Sequence, residues 1–227
     1  MRKFKWIMAM LLIMFLITGC GTSSDSNDSS NDTTPTENEQ VVSEEPISTD
    51  EVTNEGSDSV NTDEVIVTFD CPILEGLVRT ALNKETGDIL STDMLELYNI
   101  RPNGDNVKSL KGLEYAKNLE NFGILNNEIE LESLDPISNL TSLERITVSY
   151  TDITEPVTLG KLAQVTDLLF IDTNISDVSY LGQFKSLENL TLLDSNIENI
   201  DGLAGLENLT QVLLRNNNIS SIEALRG

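Results

Sequence analysis

The chain has 227 residues and a formal net charge of −24, from 38 acidic and 14 basic side chains, with no histidine and only two cysteines. This charge argues against binding to nucleic acid or directly to anionic lipid, because both require basic patches. The lack of histidine removes the commonest general base and metal ligand, so we expect a protein that is not an enzyme and needs no cofactor or metal.

The first 19 residues are predicted to be a bacterial lipoprotein signal peptide. A basic start precedes an apolar run from Trp6 to Ile17, which at about 12 residues is short for a transmembrane span and typical of a signal peptide. The run is followed by Thr-Gly-Cys. This ending resembles a lipobox and implies cleavage before Cys20, lipidation of its thiol and anchoring to the extracytoplasmic face of the cell membrane. An ordinary signal peptide and a short anchor helix are the alternatives. With Cys20 lipidated, Cys71 would have no disulfide partner and is interpreted as a small buried hydrophobe.

Residues 20–65 are predicted to form a disordered tether. The segment consists mainly of Ser, Thr, Asn, Asp and Glu, and it contains no Lys, Arg or aromatic residue. It cannot bury enough apolar surface to offset the chain entropy that folding would cost. We interpret it as a spacer that holds the folded part away from the membrane, with an acidic interaction tail as the alternative.

Residues 66–96 are predicted to form a helical cap. Asp70 is placed to cap a first helix, Pro72 suits an early helical position, and Gly87 lies past the end. Ser91 or Thr92 is placed to cap a second, short helix. The apolar side chains of both helices would cover one end of the repeats that follow: Ile73, Leu74, Leu77, Val78, Ala81, Leu82, Met94, Leu95 and Leu97.

Residues 97–227 contain about six leucine-rich repeats, the last of them incomplete. The inner spacing L-x-x-L-x-L-x-x-N-x-I is typical of this class of repeat. We number the slots of each repeat from its first apolar residue. Slots four and six are apolar and are separated by one residue, so in an extended chain their side chains point to the same side. This predicts a short strand with a single buried face. The first slots lie 22 or 24 positions apart: Leu97, Leu119, Leu143, Val165, Leu187 and Leu209.

The remaining slots predict the outer part of each coil. After slot eleven, apolar residues recur every three positions, which predicts a 3₁₀-like outer return; one such series is Ile175, Val178, Leu181 and Phe184. Slot nine holds short polar residues that can hydrogen-bond the turn backbone of the neighbouring coil; they are Asp105, Asn127, Thr151, Thr173, Ser195 and Asn217.

Two repeats depart from the pattern. The repeat that opens at Leu119 carries two extra residues in its outer return. It fits only if Leu134, Ile137 and Leu140 take its last three slots. In the next repeat Pro156 stands where an apolar residue is expected, so we predict a local irregularity there.

The cap and the first repeats resemble those of internalin-like proteins, which are leucine-rich repeat surface proteins of Gram-positive bacteria. The resemblance rests on FDCPILE at 69–75, GDI at 87–89, GLEYAKNL at 112–119 and the 22-residue period. It covers about residues 66–227. It implies an α/β leucine-rich repeat solenoid: a right-handed curved stack with a parallel sheet on the concave side, 3₁₀ segments on the convex side and a short helical N-terminal cap. It also implies protein recognition through the concave face.

Slots five and seven would place aliphatic side chains on the exposed, concave face of the sheet. Polar and acidic residues, among them Asp167, Asp172 and Asp194, would form a rim around an apolar centre, as in protein-binding patches. The alternatives are that these residues only suit strand propensity, or that a missing part of the chain covers them. The candidate protein-binding residues are Leu125, Tyr150, Leu169, Ile171, Leu193 and Leu213.

We therefore expect a lipid-anchored cell-surface protein that binds a protein partner for adhesion or receptor-like recognition. The recognition half of a longer surface enzyme, with its catalytic domain missing from this chain, is the alternative, and a structural envelope spacer is a third. The chain stops inside a repeat, so we expect either a fragment of a longer protein or an end that pairs with another chain.

Overall fold

The computed structural model describes residues 64–154, 157, 159 and 162–226. The signal peptide, Cys20, the tether up to residue 63 and the irregularity at Pro156 lie outside the described residues and stay predictions. At the predicted boundary, the Val65 N–H donates to Ser91 Oγ at 3.1 Å, and the Ser91 N–H donates to the Val65 carbonyl at 2.8 Å. Val65, assigned above to the tether, thus pairs with the cap.

Helix α1 spans Pro72–Ala81. Pro72 lies in the first turn, where its missing N–H costs no hydrogen bond. Leu74 and Val78 are four residues apart, and both are buried on the same face of the helix. Away from that face, Arg79 Nη2 lies 2.8 Å from Glu75 Oε1, an arrangement in which the acid precedes the base and complements the helix dipole.

The predicted boundary residues of α1 are wrong at both ends. The N-cap residue is Cys71, and no side chain caps the helix there. The Asp70 carboxylate instead accepts a hydrogen bond from Lys111 Nζ at 2.9 Å, which joins the cap to the first repeat. At the other end Asn83 takes the left-handed conformation, with φ of 52°. Because the helix ends at Ala81, this residue and not Gly87 provides the C-terminal turn.

The second predicted helix is the short 3₁₀ segment Asp93–Glu96. Met94 and Leu97 are buried as predicted, but Leu95 is 37% exposed. In a 3₁₀ turn residues i and i+3 share a face, so Met94 and Leu97 point inward together and Leu95 points away. Neither Ser91 nor Thr92 caps it through a side chain. The Asp93 carboxylate holds the turn by accepting a hydrogen bond from the Leu90 N–H at 2.7 Å. The pKa of Asp93 is lowered mainly by a hydrogen bond from Lys84 and also by this bond from Leu90.

Six parallel strands form one sheet in chain order. Their register confirms the predicted slots, because each slot pairs with the same slot of the next repeat: Ile146 with Leu168, and Leu168 with Leu190. The offset of 24 residues between Asn121 and Arg145 shows that the longer repeat leaves the register intact. The strands are β1 Asn99–Ile100, β2 Asn121–Leu125, β3 Arg145–Ser149, β4 Asp167–Ile171, β5 Asn189–Leu193 and β6 Gln211–Leu213.

The outer returns have the predicted period of three. Leu134, Ile137 and Leu140 are buried and take the last three slots of the longer repeat, as predicted. The predicted place of the two extra residues is wrong: they lie before the outer return, because Leu131 is buried in the slot-eleven position and Ile129 is exposed. The outer 3₁₀ segments after the cap are Leu113–Tyr115, Asp135–Ile137, Ser179–Gln183, Asp201–Leu203 and Glu223–Leu225.

One apolar core runs between the sheet and the outer returns and continues into the cap. Phe122, Phe170 and Phe184 are fully buried in it, and Cys71 is buried and free, as predicted. Within the described ranges, no helix is long and apolar enough to cross a membrane.

Slot nine fulfils its predicted role at two asparagines. Asn127 Nδ2 donates to the Val107 carbonyl of the preceding coil at 2.8 Å. Asn217 Nδ2 donates to the Leu192 carbonyl, also at 2.8 Å. These bonds satisfy buried backbone groups between coils. The hydroxyls in the same slot bond within their own coil or to one another: Thr151, Thr173 and Ser195.

Candidate protein-binding face

The candidate site is the face of the sheet that points away from the core, which we call the open face and which the sequence predicts to be concave. Slots three, five and seven of each strand point to this side, since slots four and six point into the core. Neighbouring strands lie about 4.8 Å apart, so residues of one slot form a continuous column across the sheet.

The predicted aliphatic residues lie in slots five and seven, on the open face, and Tyr150 follows in slot eight, but the exposure of these residues differs. Leu213 is 50% exposed, and Leu125, Leu169 and Tyr150 are partly buried. The prediction of exposure is wrong for the other two. Ile171 and Leu193 are only 9% and 6% exposed, although neither belongs to the apolar core. They are paired directly across β4 and β5.

Two features explain the burial of Ile171 and Leu193. Each is flanked in its column by another side chain one strand spacing away. In addition, the chain turns immediately after slot seven, because slot eight has a positive φ in every coil. The apolar part of the open face is therefore a shallow layer of its own. It is packed side to side and separated from the main core by the strand backbone.

The structure joins the slot-seven residues but separates the two slot-five leucines. Ser149, Ile171 and Leu193 are consecutive in their column. Leu169 pairs with Thr191, which pairs in turn with Leu213, so the two leucines are two strands apart. Threonine thus alternates with leucine along slot five of the last strands.

Slot three forms a hydrogen-bonded polar ladder. The sequence analysis placed Asp167 of this slot in the polar rim but did not recognise the continuous column. Arg145 Nη1 donates to Asn121 Oδ1 at 3.2 Å, and Arg145 Nε lies 3.5 Å from Asp167 Oδ2. Asn189 Nδ2 donates to Asp167 Oδ1 at 2.9 Å. The signal was present in the sequence, since slot three is polar in every repeat. This ladder borders the apolar layer on one side.

Slot eight is the feature that the sequence analysis missed most clearly. Its residues adopt φ between 49° and 74° in all six coils: Gly104, Asn126, Tyr150, Asp172, Asp194 and Asn216. Glycine, asparagine and aspartate tolerate this left-handed conformation, so the column could have been recognised from residue type alone. An aromatic residue does not favour it, and Tyr150 is therefore an outlier.

Backbone hydrogen bonds hold slot eight in place. The Tyr150 N–H donates to the Ile171 carbonyl at 2.8 Å, and the Asp172 N–H donates to the Leu193 carbonyl at 3.0 Å. The parallel ladder therefore extends one residue beyond each strand, and Tyr150, Asp172 and Asp194 lie in one column along the edge of the apolar layer.

Tyr150 lies close to two carboxylates. Burial raises the pKa of its phenol, and the charges of Asp172 and then Asp194 raise it further. Beside it, the Ser149 hydroxyl is buried and has no hydrogen-bond partner among the described residues. The described ranges contain no group of acidic, histidine or cysteine side chains arranged to bind a metal.

No protein-family model matches the chain, and no curated protein sequence matches it. Solved structures of internalins do. The internalin inlF from Listeria monocytogenes is 22% identical, with a TM-score of 0.65 over 69% of this chain and 46% of that one. The internalin C2 of the same species is 21% identical with a TM-score of 0.38, over 70% of this chain and 90% of that one. InlP, also from Listeria monocytogenes, is 14% identical with a TM-score of 0.40, over 67% and 55% of the two chains.

The chain spans about half the length of inlF, the first of these structures. At this level of identity the likeness concerns the fold. The fold is an internalin-like leucine-rich repeat solenoid, with six parallel strands and a short helical cap.

Proposed function

We propose that this chain is a lipid-anchored bacterial surface protein that binds a protein partner through the open face. The observation that carries the proposal is the apolar layer on that face. Ile171 and Leu193 lie outside the core, and Leu125 and Leu169 on the same face are only partly buried. Aliphatic side chains on this side of the sheet are separated from the main core by the strand backbone, so they are not needed to fill it.

The layout of the open face supports binding to protein. An apolar centre lies between the polar ladder of slot three and the mostly polar slot-eight column. Protein interfaces have this arrangement, with an apolar centre that provides most of the affinity and a polar rim. Solenoids of this class present such extended faces on a rigid stack, so little conformational entropy is lost on binding.

The anchoring part of the proposal rests on the sequence. The basic start, the apolar run and Cys20 suit a lipoprotein signal peptide, and the polar segment up to residue 65 suits a spacer. A partner at or beyond the cell surface would be within reach of a face held away from the membrane in this way.

The experiment is capture of surface proteins on the whole chain and on two variants. Leu169→Thr with Leu213→Thr removes two leucines from slot five, where Thr147 and Thr191 show that threonine fits the fold. Ile129→Thr is the matched control, because Ile129 is a 41% exposed aliphatic residue in an outer turn.

We expect to capture a protein that both the wild type and Ile129→Thr retain. In titration calorimetry the double variant should bind this protein at least about 30-fold more weakly, a loss of about 2 kcal/mol of binding free energy. Equal binding by all three would show that the partner uses another surface, and the proposal for the open face would then be wrong.

A further inference from the structure

We propose that the open face binds an arginine or lysine side chain of its partner, at a site formed by Tyr150, Asp172 and Asp194 above Ile171 and Leu193. This inference rests on the proposed function and specifies the chemistry of the partner: a segment that presents a basic side chain next to apolar ones.

The fold brings the three polar residues together. Tyr150, Asp172 and Asp194 occupy slot eight of consecutive coils, so their α-carbons are spaced by about one strand separation of 4.8 Å. The backbone bonds from Tyr150 to Ile171 and from Asp172 to Leu193 fix this column against the apolar layer. Burial and the charges of Asp172 and Asp194 also raise the pKa of the Tyr150 phenol.

Among the described residues, no cationic side chain forms an ion pair with either carboxylate. Asp172 has no side-chain hydrogen bond or ion pair among the described residues, and Asp194 Oδ1 accepts only the neutral amide of Asn216, at 2.8 Å. Asp167 on the other border differs, because it pairs with Arg145 at 3.5 Å. Arg215, on the neighbouring coil, makes no ion pair with Asp194 within the described part of the chain.

The chemistry of these groups suits a basic side chain. The face of an aromatic ring attracts a cation, and carboxylates form charge-assisted hydrogen bonds with guanidinium or ammonium groups. The aliphatic stem of arginine or lysine can lie on Ile171 and Leu193 while its charged end reaches the rim. A neutral or acidic side chain would gain neither electrostatic contribution.

A further observation points to a ligand here. Ser149, 1% exposed, precedes Tyr150 and neighbours Ile171 in the slot-seven column. Its hydroxyl has no hydrogen-bond partner among the described residues, and a guanidinium has five donors to offer.

The test is an NMR titration of the whole chain with two short peptides. The probes are acetyl-Leu-Arg-Leu-amide and the same peptide with citrulline, which has nearly the same shape as arginine but no charge. We expect the arginine peptide to shift the amide signals of Tyr150, Asp172 and Asp194, with a dissociation constant on the order of 1 mM, and the citrulline peptide to bind at least about tenfold more weakly.

The variant Asp172→Asn with Asp194→Asn should abolish the difference between the two peptides. Asparagine fits this slot, as Asn126 and Asn216 show, so the fold is kept. Glu198→Gln with Glu207→Gln removes the same amount of charge from exposed positions outside the site and should leave the difference unchanged.

If both peptides shift the open face equally, or the double asparagine variant still prefers arginine, the basic side-chain site is wrong while the proposed function stands. If neither peptide shifts these signals up to about 10 mM, well above the expected dissociation constant, the site is also wrong. The capture experiment with Leu169→Thr and Leu213→Thr tests the proposed function separately.

Discussion

At the scale of single residues, slot eight shows how backbone conformation determines residue type. For a residue with a β-carbon, φ near +50° is energetically unfavourable. The cost is smallest for asparagine and aspartate, because their short polar groups can hydrogen-bond locally. Tyr150 occupies the same conformation with a large ring. This conformation lowers the stability of the folded protein. Either packing of the ring along the column offsets that loss, or Tyr150 is kept at this position because it takes part in binding.

Tyr150→Asn should therefore stabilise the protein. Relief of the left-handed strain is expected to raise the free energy of unfolding by about 1 kcal/mol, provided that the partly buried ring contributes less than this through packing. Chemical denaturation followed by circular dichroism measures the change. Asp172→Asn is the control, because it exchanges two residues that both tolerate the conformation, and it should change stability little. A marked loss of stability in Tyr150→Asn would show that the ring is a structural element.

Adjacent leucines of β5 should respond differently to a charge. Leu192 is fully buried in the core, whereas Leu193 lies in the shallow layer of the open face. Leu192→Asp buries an unpaired carboxylate and should cost several kcal/mol, comparable to the stability of a small domain. Leu193→Asp should cost clearly less, since its side chain can reach water by a small displacement. Thermal melts of both variants measure this, and equal losses would contradict the separation of the two apolar layers.

At the scale of elements, the outer returns pack through close backbone contacts. Gly202, in the 3₁₀ segment Asp201–Leu203, lies against the backbone of the preceding coil, and a β-carbon there would overlap the Val178 carbonyl oxygen and Ser179. The contact involves backbone on both sides, so a side chain cannot rotate away from it.

Gly202→Ala should destabilise the stack by about 1–3 kcal/mol, because the two coils must separate to admit the methyl group. Gly76→Ala is the matched control. Gly76 lies inside α1 with nothing within 4 Å of its would-be β-carbon, and alanine in a helix is favoured over glycine by up to about 1 kcal/mol. The two variants should thus shift the midpoint of urea denaturation in opposite directions. A neutral Gly202→Ala would show that the outer returns are looser than this contact implies.

The elements also show how far sequence reasoning reaches. Period and alternation determined the strands and the outer returns, because both depend on which side chains are apolar, and sequence displays that directly. Asp70 failed as a cap because Lys111, forty-one residues away, holds its carboxylate. The predicted burial of Leu95 was wrong because the 3₁₀ turn rotates its side chain outward. The burial of Ile171 and Leu193 could not be read from alternation, since it depends on neighbouring strands and on the turn at slot eight.

At the scale of the whole molecule, each coil packs on its neighbours in sequence, and stability accumulates along the stack. Within the described residues, Ile200 of the fifth coil is 1% exposed, because the sixth coil packs against it. Each apolar slot is thus buried by the coil that follows it.

The proposed anchor belongs to this scale as well. Cells that express the whole chain and are fed a palmitate analogue should label it, and Cys20→Ala should remove the label because it removes the thiol that would be acylated. Cys71→Ala is the control, since that buried cysteine should carry no lipid. Undiminished labelling of Cys20→Ala would rule out this cysteine as the lipidation site.

The 24-residue coil has a consequence for how such a protein can diversify. Its two additional residues are taken up before Leu131, which bridges to Ile153, and the strand register across Asn121 and Arg145 is undisturbed. Insertions at this position therefore leave the strand register and the residues of the open face unchanged. Duplication of a whole coil would instead add one row to that face. Length polymorphism in the turns and evolution of specificity can thus proceed on separate sides of the same molecule.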